Sequence, residues 1–190
     1  VLIYDCEIKK GILGKNDKPV DGVEYCAGWR DFENMGVSCI GAYDYTSDRY
    51  RVFMDDNLQE FAKLTDRARV VVGFNSNSFD DQLLAANGIH VKSYDLLAEI
   101  WEGAGLGREF QYPSHVGYGL DACVSINFGT NKTGHGAQAP VDYQQGRIGA
   151  VIDYCLNDVR ETKRLLDRVI QDGFIINPKN VKEIIRVKKP

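Results

Sequence analysis

The opening run Val1-Leu2-Ile3-Tyr4-Asp5-Cys6-Glu7-Ile8 is apolar and rich in β-branched residues, apart from two acids spaced two residues apart. It predicts a buried strand over residues 1–8, in which the period of two sets Asp5 and Glu7 side by side on one face. Two ionised carboxylates in apolar surroundings repel each other and lose hydration, and both effects favour protonation. A divalent cation removes both penalties, so the pair asks for a metal; oxygen donors favour Mg²⁺ or Mn²⁺ over zinc. The alternative for an isolated pair of this kind is one acid exposed on an edge strand and the other capping a turn.

After this run, residues 9–22 are turn-forming, with Gly11, Gly14, Asn16, Asp17 and Pro19, and lead to predicted strands over 23–29, 37–45 and 50–54. That is a β-meander. Strands are predicted again over 70–74 and 91–94, and helices over 58–64, 79–87 and 96–101. In the second helix Leu83, Leu84 and Ala86 are expected to face inward and Gly88 to end it, whereas Asp81 is expected to face solvent. Asp95 is placed to cap the third.

Residues 103–145 are rich in glycine, contain Pro113 and Pro140, and predict at most one short helix near 120–126. A long helix follows over about 147–171, where Ile148, Val151, Ile152, Cys155, Val159, Leu166, Val169 and Ile170 recur at three- and four-residue steps. Gly173 ends it, and 174–176 with 183–187 are expected to add edge strands or dock the tail. Antiparallel strands first, then alternating helix and strand, imply an α/β fold with a mixed sheet flanked by helices.

The chain has 190 residues, 44% of them apolar, enough for one well-buried core. One domain over 1–190 is expected, with 174–190 as a C-terminal extension. The five cysteines are odd in number and lack any CxxC pair, which suggests neither a disulfide framework nor a zinc knuckle. No apolar stretch approaches the roughly 18 residues of a membrane span, and the opening run is too short for a signal-peptide core. A soluble, cytoplasmic protein with no membrane partner is expected, and the absence of an initiator Met leaves room for a longer parent chain. With 23 basic and 27 acidic residues, a broad cationic face for long duplex nucleic acid is disfavoured. Two divalent ions would take the formal charge from −4 to zero (−4 + 4), so a local polyanion site stays open.

Two further segments carry acids. In Val70-Val71-Val72-Gly73-Phe74-Asn75-Ser76-Asn77-Ser78-Phe79-Asp80 an apolar strand runs into a polar turn and a helix, the kind of strand end where sites gather. Ordinary helix capping by Ser78 or Asp80 is the competing reading. In Asp153-Tyr154-Cys155-Leu156-Asn157-Asp158, Tyr154 and Asp158 lie four apart on one helix face, with Asp158 at the edge of the apolar stripe. Here the alternative is a surface Asp paired with Arg160 or Lys163.

Taken in order, Asp5/Glu7, Asn75-x-x-x-Phe79-Asp80 and Tyr154-x-x-x-Asp158 resemble the three exonuclease motifs of the DEDD superfamily, tyrosine subtype. The wording is similar to that of B-family polymerase proofreading domains and of stand-alone RNase H-like exonucleases. The resemblance implies an RNase H-like fold and 3′→5′ hydrolysis of single-stranded DNA or RNA by two metal ions, Mg²⁺ or Mn²⁺. It implies that Asp5, Glu7 and Asp158 hold the nucleophile-side ion, and that Asp5 also ligates the second. Asp80 would act through that second ion's water shell, Tyr154 would orient the attacking water, and Asn75 and Phe79 would contact the terminal nucleotide. For Phe79, core packing is an equal alternative.

Lys132 and His135, in the glycine-flanked run Lys132-Thr133-Gly134-His135-Gly136, are candidates to touch phosphate, although such a loop also serves simply to turn the chain. His90 and His115 carry no supporting pattern. The Lys9, Lys10, Lys15 and Lys18 cluster is a guide for a nucleic-acid backbone or a solvated loop. An attached replication or repair factor fits the resemblance. The alternative function is a non-catalytic RNase H-like module that binds nucleic acid or protein.

Overall fold

A computed structural model describes residues 1–130 and 136–190. Its elements are, in chain order, β1 (Leu2–Ile8), β2 (Gly11–Ile12), β3 (Tyr25–Cys26), α1 (Phe32–Met35), β4 (Val37–Asp44), β5 (Arg49–Phe53), α2 (Leu58–Arg67) and β6 (Val71–Gly73). There follow α3 (Asp80–Ala86), β7 (Tyr94–Asp95), α4 (Leu96–Gly103), α5 (Leu120–Phe128), α6 (Ala139–Gln144), α7 (Ile148–Asp172), β8 (Phe174–Asn177) and β9 (Asn180–Arg186). β1 is central in a five-stranded sheet of order β5-β4-β1-β6-β7. It pairs antiparallel with β4 and parallel with β6, so the sheet is mixed and helix-flanked, as expected.

The alternation of β1 explains its two-sided burial. Leu2, Tyr4, Cys6 and Ile8 face a layer built on Phe61, Leu83 and Leu84 from α2 and α3. Ile3 faces the opposite layer, with Leu97, Val124, Val159 and Leu166 from α4, α5 and α7. Asp5 and Glu7 continue the row begun by Ile3 and so share the face covered by α7.

Gly41 lets α7 lie close against that face. It is the partner of Asp5 in the β1–β4 register, and a Cβ built on it would lie 3.0 Å from Cys155 Sγ and 3.2 Å from Val159 Cγ2. A missing side chain in mid-strand is thus filled by the helix that carries Tyr154 and Asp158.

The buried Asp95 fixes the other approach to the sheet end. Its carboxylate accepts from Leu97 N at 3.0 Å and Ala98 N at 3.3 Å, capping α4 as predicted. It also accepts from Asn75 N at 2.9 Å and Asn77 N at 3.1 Å, which ties the turn after β6 to the next strand. Asn75 is left-handed there, with φ of 63°, a conformation that Asn tolerates better than most residues.

Several expectations are corrected. The strand predicted over 23–29 shrinks to β3, which pairs with β2 outside the main sheet; the glycines of this excursion deny it a continuous strand. The two C-terminal strands form their own β8–β9 hairpin rather than an edge of the main sheet. Gly103 permits its docking, since a Cβ there would lie 2.2 Å from Arg186 O. α6 was not foreseen because Pro140 reads as a breaker, yet it sits in the first turn, where no intrahelical N–H is needed. Ala86 is exposed. Asp81 is half-buried rather than solvent-facing, accepting from the Tyr4 hydroxyl and from Ser93 Oγ at 2.9 Å. The run 131–135, and with it Lys132 and His135, lies outside the described residues.

Filling the Gly41 gap should cost stability. Gly41→Val gains strand propensity worth at most about 1 kcal/mol, but it forces the helix off the sheet against Cys155 and Val159, a change of about 1–3 kcal/mol. A lowered urea midpoint is expected, with Gly41→Ala between it and the parent. A valine variant as stable as the parent would show that α7 has room to spare.

Candidate active site

The acids arrive from separate elements. Asp5 and Glu7 project from β1, at the centre of the sheet. Asp80 is the first residue of α3, and its Oδ1 accepts the backbone N–H of Cys6 at 3.0 Å, from between the two strand acids. Asp158 comes from α7, three residues after Cys155 and so on the same helix face. Arg160 and Lys163, its alternative surface partners, are engaged elsewhere: Arg160 with Glu161 at 3.5 Å and Lys163 with Asp167 at 2.7 Å.

All four carboxylates line one cleft of about 440 Å³, together with Tyr154, Asn75 and Phe79. Glu7, Asp80 and Asp158 are buried and Asp5 is half-buried. Among the described residues, none of those lining the cleft is cationic. The Tyr154 hydroxyl lies beside Gly136, where a Cβ would come 3.2 Å from it, and both residues line the cleft.

Burial pushes the Asp80 carboxyl up to about 7, against the opposing pull of the Cys6 N–H. A buried acid among other acids is poorly tolerated without a compensating cation, and four carboxylate groups suit a hard one. The acidic group at this site is of a kind that could hold a metal ion.

A thiol also stands at this site: donor atoms of Asp5, Glu7 and Cys155 lie within 4.8 Å of one another. Cys155 Sγ accepts from Gly41 N at 3.1 Å and donates to Asp5 O at 3.4 Å. A hydrogen bond with Cys39, and then burial, hold its thiol well above the ordinary range, so it stays protonated and braces the strand.

The sequence reading missed Cys155, although it sits inside the Tyr154-to-Asp158 run, three positions before Asp158. It also missed the apolar rim, where Ile12, Trp29 and Phe74 line the cleft beside Phe79. Trp29 carried a usable signal, a lone tryptophan in a polar, glycine-containing loop. Phe79 packs against the layer formed by α1, α2 and α3, the core role that is one of its two readings, and it also lines the cleft. Of the cationic loop, Lys9 pairs with Asp55 at 2.5 Å and Lys10 with Glu24 at 3.1 Å. His115 is buried, with Nε2 3.3 Å from Gly107 O, and serves the loop around it.

No protein-family profile matches the chain, and no curated protein matches it. Among solved structures, the family B DNA polymerase from the hyperthermophilic archaeon Pyrobaculum calidifontis is similar at 16% identity with a TM-score of 0.58, over 89% of this chain. The chain spans about a quarter of that polymerase, 24% of its length. At this identity the likeness shows the fold alone, a mixed α/β architecture consistent with an RNase H-like fold. Among the described residues, no helix is long and apolar enough to cross a membrane.

The raised Asp80 carboxyl gives a pH dependence whose sign is set. The folded state holds this proton more tightly than the unfolded state, whose value is near 3.8. Metal-free protein therefore loses stability as pH rises from about 4 through 7, by on the order of 2–4 kcal/mol. Asp80→Asn keeps an acceptor for Cys6 N–H and removes the charge. In EDTA, urea midpoints should show the parent falling relative to this variant between pH 5 and pH 8. Parallel profiles would mean that Asp80 ionises without strain.

Proposed function

We propose that the chain is a metal-dependent 3′→5′ exonuclease acting on single-stranded DNA or RNA, with residues 1–190 as a single exonuclease domain. What carries this reading is the meeting of four carboxylates from β1, α3 and α7 in one cleft, with a tyrosine hydroxyl at its wall. The motif order and the RNase H-like fold support it from independent directions.

In this mechanism water attacks the terminal phosphorus, and the bond to the 3′ oxygen of the preceding nucleotide breaks. A nucleoside 5′-monophosphate leaves, and the shortened strand keeps a 3′ hydroxyl. Asp5, Glu7 and Asp158 would hold an ion on the attacking side, and Asp5 with Asp80 would serve one on the leaving side. Divalent ions held there would lower the pKa of water and neutralise charge building on the phosphate oxygens. Tyr154 orients the attacking water through its hydroxyl, while Asn75 and Phe79 position the terminal nucleotide. Lys132 and His135 are proposed phosphate contacts.

The test follows 5′-labelled and 3′-labelled single-stranded DNA and RNA with Mg²⁺ or Mn²⁺. A ladder shortening from the 3′ end is expected, and it should vanish in excess EDTA. Asp5→Ala and Asp158→Ala should each lose at least about 10³-fold in rate. Tyr154→Phe should lower kcat by about 10²-fold with strand binding retained. Undiminished activity of Asp5→Ala, or cleavage in EDTA, would overturn the assignment. Strand binding without cleavage under any divalent ion would favour a non-catalytic binding module.

A further inference from the structure

Tryptophan is a costly residue to leave in water, yet Trp29 is 68% exposed at the rim of the cleft. It is not exposed through looseness. The turn that presents it is closed by Ala27 N donating to Asp31 Oδ2 at 2.8 Å and Asp31 N donating to Gly28 O at 3.0 Å. Its ring meets Phe79 edge-on, with centroids 6.1 Å apart and planes at 64°.

The excursion bearing Trp29 is anchored as well. The Gln144 side chain donates to Lys9 O at 2.8 Å and Glu24 O at 3.0 Å, and accepts from Glu24 N at 2.7 Å. One amide from α6 thus ties the exit of β1 to the entry of β3, the segment that leads to Trp29.

The cleft is amphipathic: Ile12, Trp29, Phe74 and Phe79 form an apolar side next to four carboxylates. A matching ligand has a flat apolar body and an anionic group that a cation can bridge to the acids, which describes a nucleotide. At about 440 Å³ the space is in the lower part of the ligand-pocket range, suited to one nucleotide rather than a duplex end. An exposed, preorganised aromatic ring is what sequence-tolerant strand binding uses, because every base has a π-face.

We propose that Trp29 is a base-stacking residue, receiving the unpaired terminal nucleobase of a strand whose last phosphodiester faces Asp5, Glu7, Asp80 and Asp158. The assignment rests on the exonuclease reading of those acids and adds the feature that makes the substrate single-stranded. Gln144 is the positioning residue that holds the Trp29 excursion in place.

The test uses intrinsic fluorescence, since the only other tryptophan, Trp101, is buried. Intact protein is titrated in Ca²⁺ with an eight-residue thymidine oligonucleotide, and with the same strand carrying an abasic 3′ nucleotide. Emission should quench with the first strand and stay nearly unchanged with the second. With Mg²⁺, Trp29→Leu should raise KM about tenfold, within the range for stacking one base, leave kcat within about threefold, and respond equally to both strands. Trp29→Phe should restore most of the loss. Parent-like KM in Trp29→Leu, or no emission change at saturation, would overturn the stacking role while hydrolysis stands. Quenching by the intact strand without cleavage under Mg²⁺ or Mn²⁺ would keep the stacking role and overturn the hydrolytic one.

Discussion

The whole arrangement depends on how closely α7 lies against the middle of the sheet. Gly41 stands opposite Asp5 and offers the helix a strand surface with no side chain, and Cys155 and Val159 fill the gap. Because Cys155 bonds to Gly41 N and Asp5 O, the helix is registered along β1 as well as pressed on it. Asp158, one turn further on, is thereby delivered to the same cleft as Asp5 and Glu7. A bulky strand residue at 41 would leave every acid in the sequence and separate them in space.

Two buried aspartates near the end of β6 show how backbone donors sort carboxylates into roles. Asp95 receives four N–H groups, from Asn75, Asn77, Leu97 and Ala98, and so acts as a structural staple between a turn and a helix. Burial raises its carboxyl, yet all four of these bonds oppose the rise. Asp80 takes the N–H of Cys6 and lines the cleft, where burial dominates and lifts it to about 7. The same residue type at similar depth is met by four backbone donors in one case, while in the other burial outweighs the backbone bonds it receives.

The cleft has two kinds of wall, and they come from different parts of the chain. Its acidic floor belongs to the regular elements β1, α3 and α7. Half of its apolar rim, Ile12 and Trp29, comes from the irregular excursion around β2 and β3, tethered through Gln144, and the other half, Phe74 and Phe79, from the turn between β6 and α3. Charged groups are thus placed by regular elements, while part of the apolar rim comes from loops.

The sequence alone determined what short-range physics can write. The period of two put Asp5 and Glu7 on one face of a buried strand, the helical period drew α7 and its stop at Gly173, and Asp95 declared itself as a cap. These depend on neighbours within a few residues, and they carried the mixed α/β fold and the three acidic segments. Tertiary structure decided which distant groups meet. Gly41 gains meaning only from the helix that fills it, Cys155 only from the strand above it, and Asp81 is half-buried only because Tyr4 and Ser93 close over it. Trp29 likewise looks like a loop residue until the chain returns to set Phe79 and Gln144 around its excursion, because contacts between residues far apart in sequence leave no periodic trace for a linear reading to find.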